Sequence, residues 1–155
     1  MGLLRPVGRV VHLLSRFLAD RAFRETMTHT RGLDDNLVAV TDWRYMTLRR
    51  LGRHDEAQAL LEPISADMDI IENHAYYRRL RMYRGELSPD DLLEAGATPL
   101  DLATQGYGVG HWYLCNGQRE RALEVFRQTV SGPYWPAFGC IAAEVELRRL
   151  QHPPG

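Results

Sequence analysis

Three glycines with nearly constant spacing constrain the fold of this chain more than any other feature. Gly52, Gly85 and Gly117 lie about 33 residues apart, and each follows one amphipathic helical pattern and precedes another. A period of this length is typical of helical hairpins that stack on their neighbours, because a single hairpin cannot bury its apolar face alone. The spacing therefore predicts a repeated helix–turn–helix architecture.

The apolar residues predict helices along almost the whole chain. They recur three and four positions apart, and no stretch alternates over its length as a half-buried strand does. Ser88 and Thr98, each followed by proline, are typical helix starts, and Asp34 or Asp35 can cap the helix that begins there. Helices are predicted over 7–31, 34–51, 54–66, 68–84, 88–95, 99–116, 118–131 and 135–151. The predicted fold class is all-α.

The clearest copy of the repeat surrounds the third glycine. Gly110 and Tyr113 precede Gly117, and Ala122 and Phe126 follow it. This pattern resembles the tetratricopeptide repeat of bacterial proteins. The resemblance implies antiparallel helix hairpins that form a short right-handed solenoid, in which small residues let paired backbones approach each other.

Two further copies of the repeat are weaker. In the first, Leu48, Gly52, Ala57 and Leu61 take the same spacing. The middle copy, over about 70–96, is degenerate, because arginines stand where apolar residues are expected. We predict a repeat domain over 34–151, preceded by an N-terminal helical segment over 1–33 that can be read as a partial repeat, and followed by a disordered tail over 152–155.

Composition and charge exclude several classes of function. Nineteen basic and 20 acidic residues give a net charge of −1, which leaves no global field for nucleic acid or an anionic membrane. No run approaches the ~20 apolar residues of a membrane span, and no secretory signal is evident. We therefore expect a cytoplasmic protein that binds neither nucleic acid nor membrane. Cys115 and Cys140 are expected to be buried thiols.

The chain carries no motif that identifies an enzyme. A nucleophile elbow, a phosphate-binding loop and a zinc-binding His-Glu-x-x-His motif are all missing, and the six histidines show no paired helical spacing. Gly106, Gly108 and Gly110 lie within a helical pattern, so close helix packing is preferred to a nucleotide loop. No catalytic residue, metal or cofactor is expected.

Two clusters keep an alternative function open. His111 and Cys115 are four residues apart and can meet on one helix face as a base and a thiol. Asp67, Asp69 and Glu72 can offer oxygens to a divalent cation, although stabilisation of a helix dipole is preferred. The alternative to a binding protein is thus a small hydrolase of an ester- or lactone-type bond, with or without a metal.

The resemblance implies where a partner would bind. In tetratricopeptide-repeat proteins the first helix of each hairpin lines a groove that takes a peptide, and the expected function is a non-catalytic protein-interaction or scaffold module. Carried onto this sequence, the candidate partner-binding residues are Asp42, Met46, Arg49, Arg79, Met82, Tyr107 and His111. The arginines at 78, 79, 81 and 84 are open to two interpretations, a solvated charged face or a contribution to this groove.

The last predicted helix offers a second interaction surface. It carries Phe138 and Ile141, with Trp135 at its start, and it closes one end of the stack. An end helix that no further repeat covers would leave these apolar side chains exposed. Self-association into a homodimer is therefore expected alongside binding of a protein or peptide.

Overall fold

The computed structural model describes residues 18–22, 25, 34–94, 98–133 and 136–151. All regular structure within these ranges is helical, which confirms the all-α prediction. Most of the predicted helix 7–31, residues Tyr134 and Trp135, and the predicted tail lie outside them. The helices are α1 (Asp34–Arg50), α2 (His54–Ala59), α3 (His74–Tyr83), α4 (Pro89–Glu94), α5 (Pro99–Cys115), α6 (Arg119–Ser131) and α7 (Phe138–Gln151).

The described helices form two compact units. Residues up to Asn73 belong to the first unit, which contains α1 and α2, and α3 to α7 form the second. The boundary that the sequence pattern predicts, between residues 33 and 34, falls within the first unit. Within the described ranges, no helix has the length and apolar character needed to cross a membrane.

The three spaced glycines end three helices in the same way. Gly52, Gly85 and Gly117 have φ angles of 73°, 80° and 75°, in the left-handed region that favours glycine. After each glycine, the next backbone N–H donates to the carbonyl five positions earlier, as in a Schellman motif. The three bonds run from Arg53 to Leu48, from Glu86 to Arg81 and from Gln118 to Tyr113.

The predicted helix starts at Ser88 and Thr98 are both present. The Thr98 hydroxyl accepts the Asp101 N–H, and the Asp101 carboxylate accepts the Thr98 N–H at 3.1 Å. Ser88 and Asp91 make the same reciprocal pair at the start of α4. This capping box satisfies backbone donors that the first turn of a helix leaves unpaired.

Two helices are shorter than the sequence pattern predicts. Helix α2 ends at Ala59, ahead of Pro63, and α3 begins at His74 rather than at residue 68. The backbone before α3 is held by side chains of α1. The Asp35 carboxylate accepts the N–H groups of residues 71, 72 and 73 at 2.9–3.0 Å, and Asp34 accepts that of residue 69. The N–H groups of these residues are thus paired with α1, and the helix that the pattern predicts from residue 68 begins only at His74.

This loop corrects the interpretation of the acidic cluster. Asp67, Asp69 and Glu72 precede α3, and no acidic residue lies in the first turn of that helix. The prediction that they stabilise a helix dipole at residue 68 is therefore wrong. The carboxylates with a clear structural role here are those of Asp34 and Asp35, which act on a segment far along the chain.

The Asp35 carboxylate should make the first unit sensitive to acid. Hydrogen bonds from the backbone of residues 71–73, above all Asn73, hold the pKa of Asp35 below its usual value. A carboxyl with a lowered folded-state pKa stabilises the fold fully above its unfolded pKa, and this contribution is lost as the pH falls below that value. We expect the urea midpoint of the first unit to drop below about pH 4, and the drop to be smaller in Asp35→Asn. If the urea midpoint falls with pH equally in the wild type and in Asp35→Asn, the acid sensitivity does not come from Asp35.

Helix α5 is the centre of the second unit. It contacts α3, α4, α6 and α7, and among the described residues α3 contacts neither α6 nor α7. Its three close-set glycines face different neighbours. A Cβ at Gly106 would collide with Thr129 and one at Gly110 with Phe126, both on α6, whereas one at Gly108 would collide with Arg79 on α3. The preference for helix packing over a nucleotide loop is confirmed.

A fourth glycine sets the position of α7. A Cβ at Gly139 would collide with the backbone carbonyl of Ala103 in α5, so the two helices approach each other closely at this point. Ala103, Ala137 and Cys140 form a small buried cluster beside the contact. Cys140 is buried and Cys115 half-buried, and neither forms a disulfide.

A buried acid holds the first unit together. The Asp20 side chain is 3 % exposed and lies between two arginines. Arg44 Nε on α1 donates to one carboxylate oxygen at 3.0 Å, and Arg53 Nη1 in the turn before α2 donates to the other at 2.9 Å. Asp20 thereby ties a helical segment before α1 both to α1 and to the turn that follows it.

Candidate interaction surface

Most of the predicted groove residues are buried. Arg49 is half-buried, and the other six have at most 8 % of their surface exposed: Asp42, Met46, Arg79, Met82, Tyr107 and His111. Three of the seven lie on α1 in the first unit, namely Asp42, Met46 and Arg49. The other four lie on α3 and α5 in the second unit. In this structure the six buried side chains pack inside their units. Their role in partner binding stays a prediction.

Arg79 is the largest fully buried side chain of the described residues. Its Nη1 donates to the Thr104 carbonyl of α5 at 3.1 Å, and its Nε lies 3.4 Å from the Tyr83 hydroxyl. The guanidinium also lies over the Tyr76 ring, 5.3 Å from the centroid. Gly108 provides the space that this side chain occupies. Arg79 thus fastens α3 to α5.

The neighbouring arginines of α3 have different surroundings. Arg78 is partly exposed and donates to the Asp91 carbonyl at 2.7 Å. Arg81 and Arg84 both pair with Glu86, and Arg81 in particular holds the pKa of that carboxyl below its usual value. The interpretation as a solvated face therefore fits these three arginines, but it missed Arg79. No local pattern distinguishes Arg79 from them.

Arg49 is the groove candidate with the most exposed surface. Its Nη1 donates to the Tyr45 hydroxyl at 3.0 Å, and the guanidinium lies 5.8 Å from the centroid of the same ring. This is an interaction within one helix, four residues apart. It orients the guanidinium, and part of the residue stays exposed on the first unit.

His111 and Cys115 meet on one face of α5, as the spacing of four predicts. The Cys115 sulfur lies 3.7 Å from both ring nitrogens of His111. A sulfur on the lone-pair axis of one nitrogen would be much farther from the other, so the equal distances exclude an aligned hydrogen bond. The imidazole is also 2 % exposed and lies against the Tyr107 ring.

The acidic cluster does not assemble into a cation site. Asp67 is exposed, and a hydrogen bond with the Ser65 side chain keeps the pKa of its carboxyl below the usual value. Asp69 and Glu72 are exposed as well, and their backbone N–H groups donate to α1. Within the described ranges, no three acidic, histidine or cysteine side chains are grouped closely enough to bind a metal ion.

Helix α7 presents three apolar side chains to solvent. Phe138, Ile141 and Val145 are 65 %, 49 % and 41 % exposed, and their spacing of three and four places them on one stripe. We call these three residues the α7 stripe. The buried face of the same helix carries Gly139, Cys140, Ala143 and Glu146. The expected exposure of Phe138 and Ile141 is present, and Val145 was missed.

The orientation of α7 follows from its contact with α5. Only a residue without a side chain fits at Gly139, so the close approach to Ala103 requires the small face of α7 to point inward. Phe138 and Ile141 on the opposite side must then face outward, whereas Leu147 and Leu150 further along the helix are half-buried. A helix that only had to cover the core would bury Phe138 and Ile141 as well.

Comparison with known proteins supplies no relative for this chain. No protein-family model, curated protein or solved structure matches it. A function must accordingly be inferred from the residues and their arrangement.

Proposed function

We propose that this chain is a non-catalytic protein-interaction module of the tetratricopeptide-repeat type, which binds a helical segment of a partner polypeptide on the α7 stripe. The observation that carries the proposal is the α7 stripe itself, three exposed apolar side chains on one face of α7, while Gly139, Cys140 and Ala143 face the core. Contiguous exposed apolar side chains of this kind mark interaction sites in soluble proteins.

The repeated helix ends support the repeat part of the proposal. The same glycine conformation and the same backbone hydrogen bond recur after α1, α3 and α5, at the interval of the sequence repeat. In the second unit, helices contact their near neighbours in the chain, which is the pattern of stacked hairpins. We extend this pattern to the solenoid expected from the sequence resemblance.

The partner helix would take the place of the next helix in such a stack. An end repeat needs either a polar outer face or a further element to cover it, and the outer face of α7 carries the α7 stripe beside its charged residues. Burial of one large, half-exposed apolar side chain contributes on the order of 1 kcal/mol. Three such residues contribute about 3 kcal/mol, which is less than the roughly 4 kcal/mol of a millimolar complex. The partner must therefore also contact residues around the stripe, among them the flanking charges Glu144 and Arg148, which would set specificity.

Charge introduced into the α7 stripe should abolish partner binding. We expect Ile141→Glu to capture at least tenfold less partner than the wild type from a lysate of the source cells, because the acid would be buried in an apolar contact. Ile71→Glu is the matched control, since Ile71 is an exposed isoleucine of the first unit. Capture measured by quantitative mass spectrometry, at equal helicity of all three chains, checks the prediction. Equal recovery with both variants would contradict it.

The same pair of variants tests whether the partner is a second copy. If it is, light scattering across a dilution series should show a dimer for the wild type and for Ile71→Glu, and only a monomer for Ile141→Glu. A wild-type chain that stays monomeric at every concentration assigns the α7 stripe to a different polypeptide. If Ile141→Glu keeps both the dimer and the captured partner, the α7 stripe is not the binding surface.

A further inference from the structure

The second unit contains an apolar cavity that the proposed function does not use. Its volume is about 270 Å³, and it lies where α5, α6 and α7 meet. Its inner wall is lined by small or branched residues of these three helices, and Leu102 stands at its rim. The inner wall consists of Ala103 and Gly106 of α5, Val125 and Thr129 of α6, and Cys140 of α7. The cavity persists because small residues hold the three helices close without filling the space between them.

The polar side chains of the inner wall have no proton to offer a ligand. The Thr129 hydroxyl donates to the Val125 carbonyl at 2.8 Å, and the Cys140 thiol donates to the Thr129 carbonyl at 3.3 Å. Burial raises the pKa of the Cys140 thiol, so it stays neutral at physiological pH. The wall therefore presents a sulfur, a hydroxyl oxygen and carbon atoms.

Among the residues that the structure describes, the mouth of the cavity is also poor in donors. Pro99 and Pro133 have no N–H group, and the Gly132 N–H donates to a backbone carbonyl of α6 at 3.3 Å. Gln128 brings a side-chain amide, and its nitrogen donates to Glu124 Oε1 at 3.5 Å. An anionic ligand would enter this space with little hydrogen-bond compensation, which is strongly unfavourable.

From this wall chemistry and volume, we propose that the cavity binds a small, neutral, apolar molecule with the bulk of one substituted aromatic ring. Apolar cavities of roughly 150 Å³ bind benzene, so the larger space here accepts a ring with a short substituent. The sulfur of Cys140 adds a favourable contact with an aromatic ring. This inference is independent of the α7 stripe, which lies on the outer face of α7.

Toluene and benzoate form a matched pair of probes. They have similar shapes, but only benzoate carries a charge. We expect toluene to cause saturable shifts in the methyl NMR signals of Ala103, Val125 and Thr129, and benzoate to bind at least tenfold more weakly. Absence of saturable shifts up to the solubility limit of toluene would overturn the proposal, and so would equal binding of benzoate.

Two filling variants locate the site. Ala103→Leu fills the cavity from the inner wall, and Leu102→Trp fills it from the exposed rim, where the fold tolerates a larger side chain. Both should weaken toluene binding at least tenfold, while Leu100→Phe, an exposed position on the same turn that does not line the cavity, should leave it unchanged. If Ala103→Leu does not fold, the toluene affinity of Leu102→Trp alone tests whether this cavity is the site. Toluene affinity that survives in every folded filling variant rejects this cavity as the site.

Discussion

Arg79→Ala is expected to lower the free energy of unfolding of the second unit by about 3 kcal/mol. The change removes a fully buried side chain, the charge-assisted hydrogen bond to the Thr104 carbonyl and the contact with the Tyr76 ring. The space opposite Gly108 would remain empty, because that residue has no side chain to fill it.

Urea unfolding with hydrogen-exchange readout checks this prediction and assigns the effect to the second unit. Arg78→Ala is the matched control, since it removes the same side chain from a partly exposed position one residue away, and it should cost less than about 0.5 kcal/mol. Arg79→Met restores most of the volume without the charge and should recover about half of the loss. Equal stabilities of the two alanine variants would show that Arg79 is not an anchor.

Asp20→Ala should have an effect of similar size in the first unit, about 3 kcal/mol, since it leaves two largely buried arginines without their shared carboxylate. The side chains of Arg44 and Arg53 are only 14 % and 23 % exposed, so water replaces the lost carboxylate poorly, while Arg53 keeps its pair with Glu56. Amide exchange should accelerate in α1 and α2. Asp55→Ala, at an exposed position of α2, should leave exchange unchanged.

Two further comparisons complete this test. Asp20→Asn keeps the shape of the side chain and one acceptor oxygen, and it should cost less than the alanine variant. If Asp20→Ala and Asp55→Ala prove equally stable, the buried ion pairs contribute nothing net, and α1 and α2 are held by apolar packing of residues such as Leu48 and Ala57 alone.

The helices and their ends could be predicted because their determinants are local. The 3.6-residue apolar period, the capping pairs at Ser88 and Thr98 and the glycines at positive φ all act within one or two turns. The role of Gly106 and Gly110 was also accessible, because small residues four positions apart on a helix predict close packing.

The features that the sequence did not disclose are contacts between distant residues. Asp35 binds a segment 36–38 residues away that the pattern predicts to be helical, and Asp20 pairs with arginines 24 and 33 residues away. The buried state of Arg79 likewise depends on a glycine in another helix. Six of the seven groove candidates proved buried, because the repeat resemblance from which they were inferred identifies inward-facing positions without showing whether a core or a groove lies there in this chain.

The three glycine turns carry a consequence for chemical synthesis of the chain. Apart from chain neighbours, no described atom lies within 4 Å of the point where a side chain at Gly52, Gly85 or Gly117 would begin, so only backbone handedness restricts these sites. A residue of mirror-image configuration prefers the positive φ that an ordinary L-residue avoids. D-Alanine should therefore adopt the backbone conformation of all three turns without the strain that an L-residue would meet there.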